Sequence, residues 1–95
     1  MQLAIDTSTD TAGVALVADG ELLFEITWHC GRNHTRQLLP NLAHLLHQAG
    51  VATSALTAII VALGPGSFNG LRVGVGAAKG LAFALDVPIV GVGSL

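Results

Sequence analysis

The stretch "AIIVALGPGSFNGLRVGVGAAKGLAFALD", Ala58 to Asp86, decides how this chain is built. Ala58–Leu63 is a continuous apolar run rich in β-branched residues, the pattern of a parallel strand buried on both faces. Gly64-Pro65-Gly66-Ser67-Phe68-Asn69-Gly70 follows at once. A loop so costly in backbone entropy is seldom there only to connect. From Leu71 to Asp86 the residues read as a helix, although the glycines weaken it. "PIVGV", Pro88–Val92, reads as another buried strand.

Working outward, "QLAIDTS" reads as a short buried strand over Leu3–Asp6. Further strands fall at Ala12–Val17 and Leu22–His29, joined by Asp19-Gly20, a strong two-residue hairpin signal. The three form an antiparallel meander. "NHTRQLLPNLAHLLHQAG" reads as a helix, with Asn33 as N-cap and Gly50 just past its end. Leu38, Leu39, Leu42, Leu45, Leu46 and Ala49 fall in one stripe roughly 120° wide at about 100° per residue. Pro40 interrupts that pattern, and is expected to leave the Arg36 carbonyl unpaired and to kink the first turns. The order is β-β-β-α-β-α-β, an α/β chain with a mixed sheet. Right-handed crossovers place both helices on one face if the later strands add outward in sequence. The other face is then left bare, so the chain is expected to be truncated or to rely on a partner.

Ninety-five residues make one domain, 1–95, with one modest core. With 52% hydrophobic and 11% charged residues the composition is globular. A net charge of −2 gives no bulk attraction to nucleic acid, so any RNA contact is expected to run through another subunit. Cys30 is the single cysteine, which excludes an internal disulfide and suits a reducing compartment. The start lacks a basic signal region and no apolar stretch is long enough to span a bilayer, so the expected location is the cytoplasm, away from membranes.

Three groups of residues invite a chemical reading. The glycine loop, with Gly64, Gly66, Ser67, Gly70 and then Arg72, stands where backbone N–H groups hold an anion, or where a strand turns tightly into a helix. It is neither GxGxxG nor a Walker motif. "DTSTDT", Asp6 to Thr11, is either a polar hairpin tip or a meeting point for nucleotide phosphates, with Asp6, Ser8 and Thr9 as candidates. His44 and His47 have i, i+3 spacing, but no third ligand is evident nearby and surface histidines are the simpler reading. Cys30 beside His29 and His34 suggests a nucleophile and base only by sequence proximity. No catalytic residue and no metal ligand is assigned.

The helices carry a different signal. Gln37, Asn41, His44, His47 and Gln48 give the first helix an outer face without formal charge. The second is apolar nearly all round, with Val75, Ala82 and Phe83 opposite its main apolar side and Lys79 among its few charges. Gln37, Asn41, His44, Gln48, Val75, Lys79, Ala82 and Phe83 are therefore the candidate partner-facing positions.

Taken together, "LAIDTSTDTAGVAL", "HTRQLLPNLAHLL" and "GPGSFNGLRVGVGAAKGLAFALDVPIVGVGSL" resemble the N-terminal half of the bacterial TsaB (YeaZ) family of tRNA threonylcarbamoyladenosine biosynthesis proteins. The most specific element is GPGSF-x-G-[LVI]-R at Gly64–Arg72, with Asn69 where the family typically has Thr. The resemblance implies an actin-like, ribonuclease H-like half-domain whose second half is absent here. It implies a non-catalytic scaffold, pairing with the catalytic paralogue TsaD through the helical layer. The ATPase TsaE joins the assembly, tRNA is met only through the complex, and a homodimer is left open as the alternative when the chain is alone. The family's older glycoprotease name keeps an alternative in view, an actin-like nucleotide-dependent transferase or metalloprotease-like enzyme. Against it, Ser8 stands where actin-like ATPases have the glycine of their first phosphate loop, and Asp10 adds repulsion. His34 is followed at i+4 by Leu38, so the metal-binding histidines of TsaD have no match. No cofactor is expected and ATP with magnesium is disfavoured, which makes the glycine loop a structural and recognition corner.

Overall fold

The computed structural model describes residues 1–7, 11–29, 34–62 and 68–93, with the backbone alone at 34–36, 68–71 and 73. Its elements are β1 (Gln2–Asp6), β2 (Thr11–Ala18), β3 (Glu21–His29), α1 (His34–Ala49), β4 (Ala58–Ala62), α2 (Phe68–Leu85) and β5 (Ile89–Val92). The order matches the sequence reading, with a 3₁₀ turn over Thr53–Ala55 as an addition. Asn33, Cys30, Leu63 and the loop residues Gly64 to Ser67 lie outside the described residues. Helix α2 begins at Phe68, three residues ahead of Leu71, so Phe68-Asn69-Gly70 form its first turn rather than the end of the loop.

Local chemistry accounts for the turns. Asp19 and Gly20 have φ of 53° and 78°, and they join Ala18 to Glu21 as a two-residue hairpin whose twist suits the flanking strands. Both helices end in the same backbone motif. After α1, Gly50 takes φ 67°, its N–H donates to the His47 carbonyl at 3.1 Å, and Val51 N–H donates to the Leu46 carbonyl at 3.0 Å. After α2, Asp86 takes the glycine's place with φ 55°; its N–H donates to Phe83 at 3.3 Å and Val87 N–H to Ala82 at 3.1 Å. Helix α1 runs through Pro40, which is exposed.

The sheet order is β3-β2-β1-β4-β5. Strands β1, β2 and β3 are antiparallel neighbours, whereas β4 joins β1 in parallel and β5 joins β4 in parallel. The sheet thus grows on both sides of β1 instead of adding outward in sequence. Both helices still share one face. Leu3, Ile5, Val14, Leu16, Ile59 and Val61 from alternate strand positions form one cluster with Leu38, Leu42 and Leu45 of α1 and Ala78 and Ala82 of α2. Each large side chain buried there contributes about 1.5–3 kcal/mol.

Three expectations about burial need correction. Strand β4 is buried on one face only: Ile59 and Val61 face the helices, while Ala58, Ile60 and Ala62 are half-buried. Strand β5 is exposed along its length, because it is the sheet edge and its Val90 and Val92 continue the face that no helix covers. Leu39, placed in the apolar stripe of α1, is 57% exposed because it lies at that stripe's outer rim.

Asp86 carries a left-handed conformation that favours glycine, and its carboxylate lies at a helix C-terminus where negative charge is unfavourable. Asp86→Gly is expected to raise stability by about 1 kcal/mol, or roughly 4–8 °C in Tm, read by thermal unfolding. Gly50→Ala, at the equivalent position of α1, is expected to lower it by a similar amount.

Candidate functional site

Strand β1 carries its alternation past its own end. Leu3 and Ile5 point into the core and Asp6 points away, so Thr7 is turned inward again and is 1% exposed. Helix α2 crosses directly above. A Cβ added to Gly74 would collide with the Thr7 hydroxyl, so glycine is what lets the helix lie this close. Strands β1 and β4, which precede the two candidate anion-ligand segments, run parallel as neighbours with Ile5 paired to Val61. Ser8, Thr9, Gly64, Gly66 and Ser67 lie outside the described residues. Gly70 falls in the first turn of α2, and Arg72 is exposed on that helix.

On the opposite face of the sheet lies a cleft of about 390 Å³. Its floor comes from small or modest residues, among them Ala4, Gly13, Ala15 and Ala62. Asp6, Thr11, Glu25 and Thr27 supply its polar groups. Asp6 thus sits in this cleft, and Arg72 is not among its lining residues. Among the described residues its lining holds two carboxylates, Asp6 and Glu25, and no basic side chain. Glu25 and Thr27 were not singled out from sequence, yet period-2 alternation on β3 places them on the bare face with Ala15 and Gly13.

Among the described residues no group of three or more His, Cys, Asp or Glu stands close enough to hold a metal ion. His44 and His47 are both exposed on α1. Trp28 has its indole nitrogen buried without a hydrogen-bond partner.

The helical layer is the second candidate surface. Gln37, His44 and Gln48 are exposed on α1 and Asn41 is half-buried. On α2, Lys79 is exposed and Phe83 is 91% exposed. Val75 is half-buried against the core, and Ala82 is 8% exposed inside it. Ala82 therefore faces the sheet: Gly74, Ala78 and Ala82 form the inward seam at i, i+4, i+8, which turns Lys79 and Phe83 outward. Gly76 and Gly80 lie on that outer side, and an added Cβ meets nothing within 4 Å at either.

Residues 28–95 match the family model described as TsaD, tRNA N6-adenosine threonylcarbamoyltransferase. The chain is 43% identical over 93 residues to the tRNA threonylcarbamoyladenosine biosynthesis protein TsaB of Bacillus subtilis, covering 98% of this chain and 41% of that protein. Against the TsaB of Escherichia coli it is 41% identical over 95 residues, again covering 98% of this chain and 40% of the relative. It thus spans about two-fifths of the length of these curated relatives. The solved structure of YeaZ from Pseudomonas aeruginosa superposes with a TM-score of 0.90 at 44% identity, over 99% of this chain and 43% of that one. Thermus thermophilus RuvC shares the fold, with a TM-score of 0.64 at 17% identity, over 97% of this chain and 63% of that one. The mixed sheet with both helices on one face is the ribonuclease H-like, actin-like arrangement implied by the resemblance. By family model, sequence identity and superposition alike, this chain belongs to the TsaD family of threonylcarbamoyltransferase proteins and, within it, to the TsaB/YeaZ group.

Proposed function

We propose that this chain serves tRNA threonylcarbamoyladenosine biosynthesis as a non-catalytic scaffold, docking its helical layer onto the paralogous threonylcarbamoyltransferase TsaD. TsaE joins that assembly, and tRNA is met through the complex and not by this chain alone. A cytoplasmic setting goes with that role. Among the described residues no helix is long and apolar enough to cross a membrane.

The observation that carries the reading is Phe83. An aromatic side chain 91% exposed in the last turn of α2 has no packing role within its own fold, and aromatic residues dominate the centres of protein interfaces. Its surroundings agree. Gly76 and Gly80 permit close approach of another backbone, and Leu39 adds exposed apolar surface on α1.

Phe83→Glu is expected to raise the Kd for TsaD at least about 30-fold while leaving Tm within a few degrees of the parent, because Phe83 is nearly free of contacts in the chain itself. Light scattering after size exclusion, with the chain alone and mixed with TsaD, reads the assembly directly. Undiminished assembly by Phe83→Glu would overturn the docking face.

Asp6 in the cleft is the single feature favouring the enzyme alternative. Calorimetric titration with ATP and magnesium separates the two: the scaffold reading expects no saturable heat, and stoichiometric binding lost in Asp6→Ala would favour the enzyme.

A further inference from the structure

We propose that Thr7 and Gly74 form a size-matched lock that fixes the height and attitude of α2 on the sheet, and that the docking face depends on this lock. Thr7 is the buried polar residue at the end of β1, and Gly74 lies in the second turn of α2. Of the glycines whose surroundings are described, Gly74 alone has a neighbour that would overlap an added Cβ outright: the Thr7 Oγ1. The other Thr7 atoms are more tolerant, its Cβ and Cγ2 standing 3.5 and 3.8 Å from that position, ordinary van der Waals separations. The conflict is therefore with one atom. Removing the hydroxyl from residue 7 makes room for a methyl at residue 74.

The consequence reaches the surface because α2 is continuous. Gly74, Ala78 and Ala82 set the inward seam, and the outer residues Lys79 and Phe83 follow it rigidly. Lifting the helix at Gly74 tilts the outer face relative to α1, on which Leu39 and His44 are exposed. Thr7 and Gly74 are thus positioning residues; neither is placed in the docking surface. This second part rests on the docking reading above, whereas the lock itself does not.

The test is a double-mutant cycle in the full chain, reading both Tm and TsaD association. Gly74→Ala is expected to lower Tm by roughly 5–15 °C, as overpacking does in a domain of this size. Thr7→Ala/Gly74→Ala is expected to recover most of that loss relative to Gly74→Ala, so the two changes are non-additive. Thr7→Val/Gly74→Ala retains the bulk at residue 7 and should give no recovery. Association, measured well below every Tm, should weaken at least tenfold in Gly74→Ala and return in Thr7→Ala/Gly74→Ala. Additive Tm effects, or a Gly74→Ala chain as stable as the parent, would overturn the lock. Non-additive Tm effects with unchanged association would overturn its positioning role. Should the parent itself fail to bind TsaD, the docking reading falls and the positioning role with it, while the Tm cycle still decides the lock.

Discussion

The close approach of α2 to β1 governs most of what this molecule presents to its surroundings. Helices usually meet sheets through large aliphatic side chains, which hold the two layers about 10 Å apart. Here the contact runs along Gly74, Ala78 and Ala82, so the helix sits low on the sheet. A seam of small residues buries little apolar area by itself. The bulk is supplied from the other side by Leu3, Ile5, Ile59 and Val61, and from α1 by Leu38, Leu42 and Leu45. The seam also fixes the rotation of α2. With its small residues inward, Lys79 and Phe83 have nowhere to go but out, and an apolar helix acquires an outer face that joins Phe83 to its exposed charges Arg72 and Lys79.

The two faces of the sheet therefore have different characters. The helical side holds the core, and its outer layer exposes Phe83 and Leu39. The opposite side is a shallow cleft with a floor of small residues and carboxylates among its polar groups. Asp6 and Thr7 are consecutive in the chain and divide between these sides, Asp6 to the cleft and Thr7 to the core. That single alternation separates the residue resembling an actin-like phosphate site from the residue that seats α2.

Much of this was legible in the sequence. The order of elements follows from patterns with a period of 2 or 3.6, and the Asp19-Gly20 hairpin and the Gly50 terminus from turn chemistry; the one-sided placement of the helices was reached from crossover handedness on an assumed outward strand order that the sheet does not have. Pairing of β4 with β1 was not legible, because periodicity does not say which neighbour a strand takes. Burial of β5 was misjudged for a related reason: an apolar strand at a sheet edge reads like one at its centre. On α2 apolar residues surround the helix, so the pattern could not choose a face. Ala82 was assigned outward, and Gly74 and Ala78, which decide the matter, suit close approach of another helix as well as of the sheet. Thr7 gave a usable signal, since it continues the inward register of Leu3 and Ile5.

The measurement that bears most directly on the central claim is backbone hydrogen exchange of this chain, alone and with the threonylcarbamoyltransferase TsaD added. The account predicts slowed exchange concentrated in α2 around Lys79 to Leu85 and in α1, with β2 and β3 around the cleft unchanged. Protection confined to the cleft strands, with the helices unaffected, would contradict it.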